Sequence, residues 1–440
     1  MPIACLGPRL LLIAATTVAV TAPAAVQAQS LFELYEAAHV YDATYLSAKA
    51  LADSAIYRVE QSRALMRPNV AANAAVSRDT VKQPFFDSYN SNTRSAGINA
   101  RQPLFNRANT TTIAQAERSL VSSEADLEAA EQDLMLRVSQ AYFDVLGAQD
   151  TLETTRANKT AIAEQLASAK RNFEVGTATI TDTREAQARF DLATSQEIAA
   201  TNDLVTKRIA LNQLVGRSDV VPKQLAVPVS LPAPTTGVED LVTRALQEHP
   251  SVVKAQVAYD VAVLETTKAR AGAYPTLDAV ASANGARSTV AAGFTGPSTG
   301  TSVGLQLNLP LFSGFAVQNR VKETLLLEQR AHDDLDAARR GVTQATRQAY
   351  YILLSGTAQV KALEAAEASS QLALEATQVG YRVGIRVNVD VLNAQNQLYS
   401  TRRDLARARY DVLLDTLRLE QAAGRLAPSD ILAINRLLSP

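Results

Sequence analysis

Gln102-Pro103-Leu104-Phe105-Asn106 and Leu309-Pro310-Leu311-Phe312-Ser313 stand 207 residues apart, and reading the second as a copy of the first decides the fold. Working outward, Arg67-Pro68-Asn69-Val70 answers to Tyr274-Pro275-Thr276-Leu277 at the same offset. On the other side Gln140-Ala141-Tyr142-Phe143 matches Gln348-Ala349-Tyr350-Tyr351, Gly176 matches Gly384, and Gly216-Arg217 matches Gly424-Arg425, all 208 apart. Self-similarity that keeps register to within one residue means one unit used twice. Residues 29–440 of the 440 therefore divide into a first repeat at 29–215, a proline-rich linker at 216–237, a second repeat at 238–424 and a C-terminal segment at 425–440.

Each repeat opens with a helical segment, Leu31 to Leu65 and Val238 to Ala271. Pro68 and Pro275 end these segments, because proline has no N–H to give and pushes the residue before it out of the helical region. Two extended stretches follow. From Val303 to Leu309 apolar residues alternate with small or polar ones, and Ala96, Ile98 and Ala100 alternate with Gly97, Asn99 and Arg101. Period two gives strands with unlike faces. The stretches Asp79 to Thr93 and Ala286 to Gly300, rich in Gly, Ser, Thr, Asn and Pro, are expected as exposed loops between paired strands. Gly293, Gly296 and Gly300 fit no phosphate-binding spacing and supply loop freedom.

After the strands each repeat carries a proline-free helical stretch, Arg107 to Phe173 and Val317 to Gln378, the first about 100 Å long at about 1.5 Å per residue. Ile113, Leu120, Leu127 and Leu134 recur by sevens, as do Val138, Val145, Leu152, Leu166 and Phe173 on a second seam. Leu353, Val360, Leu374 and Tyr381 repeat that seam, broken by Glu367 where the first repeat has Lys159. A sustained heptad means knobs-into-holes packing. A second helix follows, Thr183 to Leu214 and Val391 to Ala422, so each repeat ends as an antiparallel helical hairpin. Pro222, Pro228, Pro232 and Pro234 make 216–237 either a linker or a small packed collar.

Four strands of about ten residues are long enough to cross a bilayer when tilted, but too few to close, since the smallest membrane barrels need about eight. An open edge in lipid would strand backbone hydrogen-bonding groups, so several subunits must share one barrel. Phe105, Phe312 and Phe315, where strands end, are placed either as a membrane–water belt or as core. The competing reading is a soluble sheet on a helical stalk, as in a coiled-coil surface adhesin or structural envelope protein.

Arg9, the apolar run Leu10 to Val20, and Val26-Gln27-Ala28 predict a secretory signal at 1–28, with the apolar run too short for a membrane anchor. The single cysteine, Cys5, falls inside it, which leaves neither a disulfide framework nor a cysteine for lipid attachment. Charge is balanced, 43 Lys+Arg against 44 Asp+Glu, and tryptophan is absent, so nucleic acid is not expected as a partner. An enzyme is the least favoured class: His39, His249 and His332 form no metal pattern, and no Gly-x-Ser-x-Gly appears. No cofactor is expected.

At the hairpin tips, Phe173-Glu174-Val175-Gly176-Thr177-Ala178-Thr179-Ile180-Thr181-Asp182 and Tyr381-Arg382-Val383-Gly384-Ile385-Arg386-Val387-Asn388-Val389-Asp390 resemble those of the TolC-like outer-membrane efflux and secretion proteins. The long duplication, the Pro-Leu-Phe signature and the closing Ala423-Gly424-Arg425-Leu426 agree with that family over nearly the whole chain. The resemblance implies a fold mainly α with membrane β: a homotrimer with a 12-stranded barrel continuous with a helical coiled-coil barrel. It implies residence in the outer membrane and periplasm, among outer-membrane lipid, with a periplasmic adaptor (membrane fusion) protein and an inner-membrane ABC or proton-driven transporter as partners. Type I protein secretion and small-molecule efflux are both open to such a channel.

The resemblance also implies a periplasmic gate of Tyr381 and Arg386 on one tip with Thr181 and Asp182 on its neighbour, and a pore ring of Asp390 carboxylates. An arginine fork and a tyrosine hydroxyl suit a carboxylate, each exposed link being worth on the order of 1 kcal/mol. The family's second acid, one turn on, is here Asn393, which halves the ring's charge. By local chemistry alone, Asp182 reads as a helix N-cap with Glu185 completing a capping box, and Gly176 and Gly384 as helix C-caps.

Overall fold

The computed structural model describes residues 28–83, 86–226, 231–232, 236–290 and 295–439, so all but the last residue of the expected signal lies outside them. In chain order come α1 (Leu31–Tyr41), α2 (Ala43–Arg63), β1 (Asn69–Gln83), β2 (Phe86–Phe105), α3 (Arg107–Glu174) and α4 (Ile180–Val215). The same order recurs in α5 (Val238–Glu248), α6 (Pro250–Ala271), β3 (Thr276–Val290), β4 (Thr295–Asn308), α7 (Ala316–Arg382) and α8 (Asn388–Ala422), and α9 (Pro428–Asn435) closes the chain.

The opening helical segments are each broken once, where one helix was expected. Asp42 caps α2 by accepting the Tyr45 N–H at 2.8 Å, and the fork of Arg137 reaches the same carboxylate at 3.0 and 3.1 Å. The Arg137 hydrogen bonds hold the Asp42 carboxyl below the usual range. In the second repeat Pro250 starts α6, where its missing N–H costs nothing. α3 and α7 run the full length of the helical part. α2 and α6 pack beside them towards the sheet, and α4 and α8 pack beside them in the other half as the returning arms of the hairpins.

The four strands form one antiparallel sheet in the order β1-β2-β3-β4. They are longer than expected: β1 has 15 residues and β2 has 20, so most of Asp79 to Thr93 is paired strand, Asp79 lying opposite Ser91. Ala286 to Gly300 is likewise paired strand on both sides of 291–294, which lie outside the described residues together with Gly293, and Ala286 stands opposite Ser298. Polar composition misled here, because a strand whose one face meets water or a lumen carries Ser, Thr and Asn as readily as a loop does. Phe105, Phe312 and Phe315 are all exposed, at 46%, 76% and 61%, so none belongs to the core of the single chain.

The largest core cluster sits at mid-height, where Leu31 and Leu34 of α1, Tyr142 and Leu146 of α3, Leu413 and Leu417 of α8, and Ile431 and Ile434 of α9 meet. The described part of 216–237 is a packed collar there. Gln29 bridges Pro222, Leu225 bridges Leu438, and the Tyr142 hydroxyl donates to the Lys223 carbonyl at 2.9 Å. α9 is an element the sequence reading left out. Among the described residues no helix is long and apolar enough to cross a membrane.

Candidate functional site

The hairpin tips are built alike at the end of the long helix. In the first, the Thr177 N–H reaches the Asn172 carbonyl at 2.8 Å and the Gly176 N–H the Phe173 carbonyl at 3.0 Å. In the second, Ile385 reaches Gly380 at 2.9 Å and Gly384 reaches Tyr381 at 3.1 Å. This is the paired-bond helix stop that needs a left-handed residue, and Gly176 and Gly384 supply it at φ of 81° and 82°.

The tips differ where the return helix begins. Thr179, not Asp182, is the N-cap of α4, so the expected assignment is shifted by one turn. The Asp182 N–H donates to Thr179 Oγ1 at 3.2 Å, while the Asp182 carboxylate accepts the Thr179 N–H at 2.9 Å and its hydroxyl at 2.8 Å. Asp182 thus plays the part foreseen for Glu185. In the second tip Val387 stands at the N-cap and has no side-chain oxygen to offer, so among the described residues the Asp390 N–H is met only by the Val387 carbonyl at 3.0 Å. Asp390, which matches Asp182 in the repeat, lies 3.5 Å from the Val387 N–H and 3.6 Å from Arg386 Nη1. Its carboxylate is held loosely.

Of the expected gate residues, Tyr381 meets the first hairpin, accepting a hydrogen bond from Asn172 Nδ2 at 3.1 Å. Arg386 turns to Asp390 of its own tip, and among the described residues no hydrogen bond or ion pair joins it to Thr181 or Asp182 within one chain. The Arg386 stem lies across Gly380, where an added Cβ would fall 2.8 Å from its Cγ.

Two further links between the hairpins escaped the sequence reading. Gln165 of α3 donates to Asn388 of α8, and Arg189 of α4 donates to Asn393 of α8 at 3.1 Å. Asn393 therefore ties one hairpin to the other. The signal was present in part: Asn158, Gln165 and Asn172 recur by sevens, an amide stripe beside the apolar seam.

Higher in the hairpins the heptad breaks are filled by ion pairs. Lys159 of α3 meets Glu197 of α4 at 3.0 Å, and Glu367 of α7 meets Arg402 of α8 at 3.0 Å, with the charges exchanged between long and return helix. Nearer the collar Tyr410 of α8 donates to Asp150 of α3 at 2.6 Å and stacks on Phe143. Burial pushes the Asp150 carboxyl above the usual range, and burial and the Asp150 charge push the Tyr410 phenol up. Among the described residues no group of His, Cys, Asp and Glu is arranged to hold a metal. His249 instead caps α6, accepting the Ser251 N–H at 3.1 Å.

Residues 34–217 and 241–425 match the family model described as outer membrane efflux protein. The chain belongs to that family. Within the outer membrane efflux family it is 34% identical to outer membrane protein TolC of Vibrio cholerae, over 94% of this chain and 95% of that protein. It is 31% identical to alkaline protease secretion protein AprF of Pseudomonas aeruginosa, over 92% and 83%. The fold is that of the Campylobacter jejuni CmeC outer membrane channel, with a TM-score of 0.77, 15% identity and 98% of each chain covered. As a member of this family the chain is an outer-membrane export channel that extends into the periplasm. The family is one of channel proteins, not enzymes.

Proposed function

We propose that three copies of the chain close one 12-stranded barrel and one helical tunnel, and that this tunnel is the exit duct of a tripartite export system. The observation that carries the reading is the open sheet. β1 and β4 each pair on one side only, and Val303, Leu305 and Leu307 of β4 are 90%, 70% and 66% exposed. An apolar, unpaired edge strand is unstable in water and in lipid alike. Joining β4 of one subunit to β1 of the next removes every edge, and three four-stranded sheets give the 12 strands. The repeated element order supports descent of the two halves from one duplicated unit.

The periplasmic end is gated at the tips. Arg386 and Tyr381 of the second hairpin latch against Thr181 and Asp182 of the first hairpin of the adjoining subunit, and Asp390 lines the constriction as a ring of three carboxylates. Rings of acid select cations. A periplasmic adaptor and an inner-membrane ABC or proton-driven transporter release the latch, and the naming of one relative for protease secretion supports a type I secretion role. The deciding experiment is the mass of the detergent-purified protein: a trimer is expected, and a monomer overturns the shared barrel.

A further inference from the structure

The two faces of the sheet differ in chemistry. One carries Asn73, Ser95, Gly97, Asn99, Ser282 and Ser302, with hydrogen bonds between Asn99 and Asn73 at 2.8 Å and between Ser282 and Ser302 at 2.9 Å. On β2 its residues Ser91, Thr93, Ser95 and Gly97 are half-buried, while Asn92, Arg94, Ala96 and Ile98 on the other face are exposed, so along this stretch the polar face is the more enclosed and is termed concave. The convex face is apolar over most of the four strands, with Thr299 and Thr301 the polar members on β4 between Pro297 and Leu307: the register aligns Val70, Ala100, Ala281 and Val303, then Ala72, Ile98, Ala283 and Thr301. From Leu307 to Pro297 this face runs about 33 Å along the strand, or about 25 Å along the axis at a tilt of ~40°, the height of an apolar membrane band.

At the end of that band remote from the helices the convex face turns basic. Arg94 lies directly opposite Arg287, with Val76 and Pro297 completing the row, and Arg78 follows on β1 one step outward. All three arginines are exposed, and among the described residues none enters an ion pair or side-chain hydrogen bond. Like charges placed directly opposite weaken strand pairing unless something offsets them. Guanidinium forks are matched by phosphate, which takes two parallel N–H bonds from each.

We propose that Arg78, Arg94 and Arg287 form a site, one per subunit, for the phosphate groups of an outer-leaflet glycolipid. The inference rests on the shared barrel proposed above, with the convex face towards lipid. The helices leave the sheet at its Asn69 and Asn308 end and reach into the periplasm, so the arginine row stands at the outer leaflet. A lipid rather than a soluble anion fits because the row continues without a break into Ala74, Ala96 and Ile98, where acyl chains would lie below a bound phosphate.

The test is retention of bisphosphorylated lipid A by the detergent-purified full-length protein, read by native mass spectrometry and by the unfolding temperature. The parent should retain lipid A, and the Arg94→Gln/Arg287→Gln double variant should bind it about tenfold more weakly, as should the parent given dephosphorylated lipid A. Arg78→Gln, a second variant read in the same way, should lose about threefold. Inorganic phosphate that displaces lipid A at equal concentration would assign the row to a small anion and overturn the proposal. Equal retention by parent and variants, all trimeric, would overturn this site alone, whereas a monomeric mass would remove the shared barrel and this site with it.

Discussion

The two hairpin tips have the same stop and different starts. Both long helices end on a left-handed glycine, but Thr179 closes the start of α4 onto Asp182 and Val387 cannot do the same for Asp390. One missing hydroxyl therefore separates a carboxylate spent on holding its own helix from one left loosely placed near the tip. The comparison extends one turn back: Asn172 in the first tip becomes Gly380 in the second, and the vacated space is taken by the Arg386 stem. The two tips share one backbone framework, and a few residue differences leave the second with the less tightly held carboxylate.

The sharpest break of this comparison is to neutralise each acid in turn. Asp390→Asn should raise the half-blocking concentration of a trivalent cation by about tenfold in planar-bilayer recordings, the effect of losing a ring of charge. Asp182→Asn should leave cation block unchanged, because that carboxylate serves the cap of α4 and the proposed latch and not the Asp390 ring. Equal effects from the two would erase the distinction drawn between the tips.

Arg386→Ser should raise the resting single-channel conductance about threefold, the scale of an exposed ion pair. Gly380→Asn, which copies the first tip, should act in the same direction by displacing the Arg386 stem, and unchanged conductance in both would remove the latch. Exchanging the caps tests the starts. Thr179→Val should cost about 1 kcal/mol of stability at the first tip, seen as faster hydrogen exchange there. Val387→Thr should draw Asp390 into a box and weaken cation block.

The smallest effect concerns the contact between hairpins nearer the collar. Because burial raises the Asp150 carboxyl, its ionisation opposes folding, so stability is fully present below the ordinary carboxylate range and falls as pH rises through the raised value. Asp150→Asn should therefore unfold at a higher temperature than the parent at neutral pH. The gap should close in acid, as followed by circular dichroism at several pH values.

Much of the fold lay open in the chain. Pro68 and Pro275 marked the helix-to-strand turns, Val138, Val145 and Leu152 gave the seam that proved fully or nearly buried, and Gly176 and Gly384 marked the tips. The strands ran longer than composition suggested, because Ser91, Thr93 and Ser288 are polar for facing the concave side, not for lying in a loop. The break at Asp42 was missed because its reason, Arg137, lies 95 residues away.

What the sequence determined by itself is what short-range spacing encodes: period seven for the hairpins, period two for the strands, a glycine where the backbone must turn left-handed, and the same element order at an offset of 207 to 208 residues. Tertiary structure alone decided which Asn, Gln and Arg side chains meet across hairpins, that Asn393 ties α8 to α4, that the Lys159 and Glu367 pairs carry opposite polarity, and that Arg94 faces Arg287. Those pairings depend on the relative register of helices and strands 35 to 223 residues apart. Packing sets that register, and no local pattern carries it.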